Sequence, residues 1–78
     1  MGPQLETAPE ACELAIRLPP SVRCSGPPEV RVADYTGASA WGCVFHAAIA
    51  LRAILGATVV GRSRDGAGIE AHKLAKEP

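Results

Sequence analysis

The alternation of apolar and polar residues becomes regular only from about residue 29 onward. Closely spaced β-compatible residues predict a strand from Glu29 to Tyr35. From Phe45 to Leu55 the chain holds no proline or glycine and is rich in alanine and leucine, which predicts a helix ending at Gly56. Three of the four residues in Ala57–Val60 are β-branched, so a second strand is predicted there.

These elements follow one another with short connections, and the first strand leads into a glycine-bearing turn. A strand, a crossover helix and a second strand are most simply a right-handed βαβ unit with two parallel strands. A further helix is predicted over Ala67–Lys76. The predicted fold class is therefore α/β, a Rossmann-like βαβ(α) fragment with two parallel strands.

Residues 1–28 differ in composition from the rest of the chain because they hold six of the seven prolines. Proline removes a backbone donor and disfavours helix in the residue before it. We therefore predict a largely irregular N-terminal extension over 1–28 and a folded unit over 29–78. One short helix is expected from Ala8 to Leu18, capped by Thr7 and stopped by Pro19-Pro20.

Composition limits the core of this chain of 78 residues. Hydrophobic residues make up 47% of the sequence but aromatic residues only 4%, so the core must come from Ala, Val, Ile and Leu. A domain of this size buries a small fraction of its surface, and two strands alone seldom form a stable sheet. We therefore expect a homo-oligomer or a missing C-terminal part of the protein.

The charge balance and the terminal sequence narrow the partners. Eight basic and eight acidic residues cancel, which gives no indication of a nucleic-acid or anionic-membrane partner. The N-terminus lacks the pattern of a secretory signal, and Arg52 and Gly56 interrupt the longest apolar stretch. An odd number of cysteines without regular spacing favours a reducing, cytoplasmic setting.

One pair of metal-ligand residues has a defined spacing. Cys43 and His46 are three residues apart, so they face the same side if the helix begins that early. A Cys-x-x-His metal corner completed by Cys24 or His72 is therefore conceivable. Because a second pair with such spacing is lacking, we predict no metal site and expect these two residues to line the turn.

Several segments, taken in order, resemble a known family. They are Thr36–Ser39, Gly42, Ala48–Arg52, Gly56–Val60 and Asp65–Ala71. Over roughly residues 29–77 this succession resembles the N-terminal portion of the short-chain dehydrogenase/reductase family. The resemblance implies that 29–78 is a partial NAD(P)-binding Rossmann-like unit. It further implies an oxidoreductase that transfers hydride between NADP and a carbonyl or alcohol.

The resemblance also implies a cofactor site. Its residues are Thr36, Gly37, Ser39 and Gly42 around the phosphates, and Arg62, Ser63 and Arg64 at the ribose. Because two guanidinium groups suit a 2′-phosphate, NADP is predicted over NAD. The glycine motif departs from the family pattern, since Gly42 comes one place late and Val44 stands where another glycine belongs.

The family's catalytic serine and Tyr-x-x-x-Lys pair are absent, and the only tyrosine is Tyr35. The resemblance therefore implies a dinucleotide-binding fragment that is inactive alone, and NADPH should barely change its thermal midpoint. The alternative is a non-enzymatic small scaffold or interaction protein, in which the apolar helix faces a partner.

Overall fold

A computed structural model describes residues 5–17 and 23–76. Its elements are, in chain order, α1 (Glu13–Arg17), β1 (Val30–Ala33), β2 (Ser39–Gly42), α2 (Val44–Ala53), β3 (Thr58–Arg62) and α3 (Ala67–Lys76). The strands form one sheet in the order β2-β1-β3, and β1 pairs antiparallel with both neighbours. Helices α2 and α3 pack against each other and against the sheet, while α1 packs on β2 and α2.

The predicted fold class is wrong, because neighbouring strands in the described part of the chain are antiparallel and not parallel. After β1 the chain reverses in a hairpin and returns as β2, a strand that the sequence did not predict. Its Ser-Ala-Trp-Gly sequence has little β-propensity apart from the tryptophan. Helix α2 does connect two strands of the same direction, β2 and β3, but β1 lies between them.

The other elements were predicted more closely. Helix α3 has the predicted bounds, whereas α2 is shifted to Val44–Ala53 and β3 to Thr58–Arg62. The predicted helix over 8–18 is shortened to α1, and its expected end at residues 18–20 lies outside the described residues. Among the described residues, no helix combines the length and apolarity needed to cross a membrane.

The Thr36-Gly37 turn is the loop of the β1–β2 hairpin, not a strand-to-helix corner. The Asp34 carboxylate accepts hydrogen bonds from the Thr36 hydroxyl at 2.5 Å and the Thr36 amide at 2.8 Å. These two hydrogen bonds lower the pKa of Asp34, and the bond from the hydroxyl has the larger effect. The Gly37 amide donates to the Asp34 carbonyl at 3.1 Å, and Gly37 has a φ of 91°. This is a turn closed by a glycine in the left-handed region.

The turn gives a first testable expectation. Gly37→Ala should lower the free energy of unfolding by about 1 kcal/mol, because a side chain is strained at positive φ. An added Cβ would meet nothing within 4 Å, so the cost comes from the backbone alone. Gly26→Ala is the matched control, since that site is equally open and lacks a positive φ. Urea unfolding of both variants measures the difference, and equal stabilities would contradict the assigned turn.

The core is small and aliphatic, as the composition predicts. Its buried cluster comprises Leu14, Val30, Val32, Ala40, Val44, Ala47, Ala50, Ala67 and Ala71. The largest fully buried side chains are His46, Val30 and Cys43. Two of these three carry metal-ligand atoms, so the best-buried part of the described chain is chemically unusual for a core.

Candidate metal centre

Four side chains direct their metal-ligand atoms to one point. Cys12, Cys24, Cys43 and His46 bring three sulfurs and one imidazole nitrogen within 4.8 Å of one another. The Nδ1 atom of His46 lies 3.1 Å from the Cys43 sulfur and 3.6 Å from each of the other two. Thiolate and imidazole ligands around tetrahedral zinc lie about 3.5–3.8 Å apart, given bond lengths of about 2.3 and 2.0 Å. Two of the three nitrogen–sulfur distances fall in this range, and all four donor atoms lie within 4.8 Å of one another, so the cluster approaches the dimensions of a four-ligand zinc site.

The corner between β2 and α2 supplies two of the four ligands. Cys43 has an extended backbone (φ −66°, ψ 167°) and caps α2, and its sulfur accepts the His46 amide hydrogen at 3.4 Å. Residues three apart on a helix lie on one face, so His46 follows Cys43 to the same side. Both residues are inaccessible to solvent, with exposed fractions of 0% and 2%.

The N-terminal extension supplies the other two ligands. Cys12 directly precedes α1, which is anchored by the buried Leu14. The sulfur of Cys12 accepts the Cys43 amide hydrogen at 3.3 Å. Cys24 lies in the segment before β1 and is exposed as a residue. Half of the site therefore comes from the part of the chain predicted to be a largely irregular extension.

The thiols of the cluster differ in acidity. Burial raises the pKa of Cys43, but hydrogen bonds from the backbone amides of His46 and Ser25 outweigh it and lower that pKa to about 6. The sulfur of Cys24 lies against the buried His46 ring. Desolvation makes the largest contribution and the neighbouring thiols of Cys12 and Cys43 add to it. Together they raise the pKa of Cys24 to about 11. Crowded thiols resist a second ionisation unless a cation offsets the charge.

A cysteine of lowered pKa beside a histidine also suits nucleophilic catalysis. Two features argue against that role for Cys43. Its side chain is wholly buried, so a substrate cannot reach the sulfur, and the His46 Nδ1 atom is shared among three sulfurs. Catalytic zinc sites keep one position open for substrate, whereas structural sites are closed by four protein ligands. The cluster belongs to the closed type.

The residues predicted to hold the cofactor phosphates are not gathered at one place. Thr36 and Gly37 lie in the hairpin turn, and Ser39 is at the adjacent start of β2. Gly42 ends that strand, about 10 Å away at the rise of a β-strand. An added Cβ on Gly42 would meet the Leu14 Cδ1 atom at 2.5 Å. Because glycine has no side chain, Gly42 leaves room for α1 to pack on β2.

The predicted ribose-phosphate residues lie near the Gly42 end of the sheet, remote from the turn. The Arg64 guanidinium donates to Glu29 at 2.6 Å and also to Glu70, and these bonds raise its pKa. Arg62 lies 4.0 Å from an Asp65 carboxylate oxygen, and the Ser63 hydroxyl donates to a backbone carbonyl at 3.3 Å. The guanidinium groups face carboxylates of the same chain.

From the sequence alone, a metal corner at Cys43 and His46 is the less favoured hypothesis. The structure brings Cys24 to the Cys43–His46 pair and adds Cys12, whereas His72 lies exposed on α3, outside the cluster. The only available signal was the Cys-x-x-His spacing in a chain with a thin core. Cys12 is 31 residues before Cys43, and no local pattern links them.

Comparison with protein families, with curated proteins and with solved structures finds no match to this chain. The resemblance to the short-chain dehydrogenase/reductase family is therefore neither supported nor refuted. Fold and site together define a class, a small domain of helices packed on a three-stranded antiparallel sheet, with a Cys₃His cluster.

Proposed function

We propose that this chain is a non-enzymatic interaction module whose fold is stabilised by one zinc ion. The ligands are Cys12, Cys24, Cys43 and His46. The observation that supports the proposal is the convergence of their four donor atoms within 4.8 Å. The proposal is a more specific form of the second hypothesis from the sequence, that of a small scaffold or interaction protein. It assigns the stability of the fold to a bound metal ion, where the sequence led us to expect an oligomer.

The chemistry of the ligand set favours zinc over other metals. Three thiolates and one imidazole are soft and borderline donors, and four such ligands are the number that Zn²⁺ binds in its tetrahedral structural sites. The cluster contains no carboxylate, the ligand that Ca²⁺ and Mg²⁺ require. Iron–sulfur clusters are usually held by four cysteines. Coordination through Nδ1 of His46 follows from the orientation of the ring toward the three sulfurs.

The thin core explains why a metal is needed. Domains below about 70–80 residues rarely gain more than about 3–5 kcal/mol from a single core. Structural zinc in small domains provides apparent binding free energies of about 10–16 kcal/mol at neutral pH. An ion here would join the segment before α1, the segment before β1 and the start of α2. We place the protein in the cytoplasm, where thiols stay reduced and remain available to zinc.

A metal titration tests this function. Adding Co²⁺ to the metal-free, reduced chain should saturate at one equivalent. It should give the intense visible bands of tetrahedral cobalt together with thiolate-to-cobalt charge transfer, and Zn²⁺ should displace it. The far-UV circular dichroism should gain helix and strand signal over the same range of added metal, because binding and folding are coupled. A weak octahedral spectrum, or uptake without a change in fold, would overturn the proposal.

Hydride transfer with NADP, which the resemblance implies, stays a prediction of the sequence. Arg64 pairs with Glu29 and Glu70 and Arg62 lies 4.0 Å from Asp65, so a 2′-phosphate would have to compete with these carboxylates. Saturable stabilisation of the zinc-loaded chain by micromolar NADPH would restore that function as a candidate.

A further inference from the structure

The three cysteines of the metal cluster differ in their access to solvent. Cys24 is exposed, Cys12 is partly buried and Cys43 is wholly buried. In a zinc-bound chain all three sulfurs are thiolates, because metal binding displaces the thiol protons. The oxidation of a thiolate then follows its exposure, so a dissolved oxidant meets Cys24 first.

A second sulfur lies within reach of Cys24. The Cys12 and Cys24 sulfurs are within 4.8 Å of each other. Because bonded cysteine sulfurs are about 2.05 Å apart, these two need to approach by at most about 3 Å. Both residues lie in the N-terminal extension, outside the helices and strands. Their backbones can therefore adopt disulfide geometry without a rearrangement of the sheet or of α2.

Cys43 is less suited to pair with Cys24. It directly follows β2 and directly precedes α2, so its backbone is fixed on both sides. Its sulfur accepts the His46 amide hydrogen at 3.4 Å as the cap of α2 and lies 3.1 Å from the His46 Nδ1 atom. A disulfide from Cys43 would remove this cap and leave a buried helix amide without its acceptor. The geometry thus favours Cys12 as the partner of Cys24.

We propose that the metal cluster is a peroxide-sensitive switch, in which a hydroperoxide converts Cys12 and Cys24 to a disulfide and the chain releases its zinc ion. The inference rests on the proposed function, since it concerns the same ion. Structural zinc needs four protein ligands, and thiolates, not disulfide sulfurs, bind metals. Oxidation leaves only Cys43 and His46 as ligands, and two ligands do not retain the ion.

The reaction balances in two steps. The Cys24 thiolate attacks one oxygen of hydrogen peroxide, the O–O bond breaks, and Cys24 sulfenic acid and hydroxide form. The Cys12 thiolate then attacks the Cys24 sulfur, which forms the S–S bond and expels a second hydroxide. The two hydroxides take up protons from the solvent and become water. The sulfurs lose two electrons, the peroxide gains them, and Zn²⁺ keeps its oxidation state.

The test begins with the reduced, zinc-loaded chain, whose metal content is measured before any oxidant is added. Each equivalent of hydrogen peroxide should release one equivalent of zinc, which a chromogenic chelator detects. A sample with chelator and no peroxide is the control and should keep its zinc. Dithiothreitol followed by Zn²⁺ should restore the metal content, because a disulfide is reversible.

A tryptic digest of the oxidised chain identifies the bond. Trypsin cleaves after arginine residues that separate the three cysteines, at Arg17, Arg23, Arg31 and Arg52. The peptide that contains Cys12 should be linked to residues 24–31, while Cys43 stays free. The chain should remain monomeric on a non-reducing gel, which places the bond within one chain. A bond to Cys43, or between two chains, would overturn the proposal.

Two ligand-preserving variants separate the roles of the two cysteines, since Cys₂His₂ is also a structural zinc set. Cys24→His removes the exposed thiolate and should slow peroxide-driven zinc release by about tenfold. Cys12→His keeps that thiolate but removes its partner, so a 1,3-diketone that traps sulfenic acids should label residues 24–31. Zinc release from Cys24→His at the rate of the unaltered chain would contradict the switch. The digest of the unaltered chain decides the case if either variant fails to take up zinc.

The outcomes separate this inference from the proposed function. A chain that takes up one zinc ion and retains it in peroxide would overturn the switch and leave the zinc module standing. Failure of the reduced chain to take up zinc would overturn both.

Discussion

His46→Ala should release the zinc ion and unfold the chain, whereas His72→Ala should leave metal content and fold unchanged. His46 is one of the four ligands of the proposed zinc site and is 2% exposed, while His72 is exposed on α3, outside that cluster. Structural zinc provides about 10–16 kcal/mol in small domains at neutral pH, which exceeds what this core can supply. The His46 variant should therefore lose its cooperative thermal transition. Zinc content and far-UV circular dichroism measure both effects in the two variants.

Loss of packing at the buried His46 would also destabilise the fold, and His46→Cys separates the two causes. Nδ1 is the ring nitrogen nearer to Cβ, and the zinc–sulfur bond of about 2.3 Å is longer than the zinc–nitrogen bond of about 2.0 Å. A cysteine can therefore reach the ion without moving the backbone. His46→Cys should keep one metal and show a cobalt spectrum with increased thiolate charge transfer. Equal loss of fold in His46→Cys and His46→Ala would contradict a metal-based stability.

Gly42→Ala should lower the free energy of unfolding of the zinc-loaded chain by about 2 kcal/mol. The new Cβ would meet Leu14 at 2.5 Å from Cδ1, 3.0 Å from Cγ and 3.1 Å from Cβ, and Leu14 is buried with little room to move. Displacing α1 would also shift Cys12, two residues before Leu14, so the zinc affinity should fall together with the stability. A phosphate-binding role for Gly42 predicts neither effect in the absence of nucleotide.

Three further variants test whether the Gly42 effect arises from this contact. Gly61→Ala adds a Cβ that meets the Glu6 carboxylate, the end of a flexible and exposed side chain, so its cost should stay within about 0.5 kcal/mol. Leu14→Ala alone should cost about 3 kcal/mol by leaving a cavity. The double variant Gly42→Ala, Leu14→Ala should also cost about 3 kcal/mol, because the clash disappears with the leucine. Additive costs of about 5 kcal/mol would contradict the proposed contact.

Local patterns were sufficient for the elements whose residues agree with their structure. Alanine-rich segments form α2 and α3, and β-branched residues form most of β3. The sequence did not predict β2, because three of its four residues have low β-propensity and they form a strand only by pairing with β1. The missed hairpin changed the whole topology, since it placed the predicted first strand in the middle of the sheet.

The candidate site was likewise predictable only where its residues are close in the sequence. The Cys-x-x-His spacing predicted that Cys43 and His46 share a face, because helix geometry is local. The recruitment of Cys12 depends on Leu14 packing beside Gly42, a contact between residues 28 positions apart, which no spacing rule describes. The proline content of 1–28 indicated an irregular N-terminal extension. It gave no indication that Cys12 and Cys24 from this segment reach the core.

By itself, then, the sequence determined the positions of α2 and α3, the aliphatic character of the core and the pairing of Cys43 with His46. Each of these depends on residues within a few positions of one another. Only the tertiary structure decided the antiparallel sheet order, the packing of α1 through Leu14 and the meeting of three cysteines with one histidine. These depend on contacts between distant segments, whose free energies come from packing, and in our proposal from a shared metal ion.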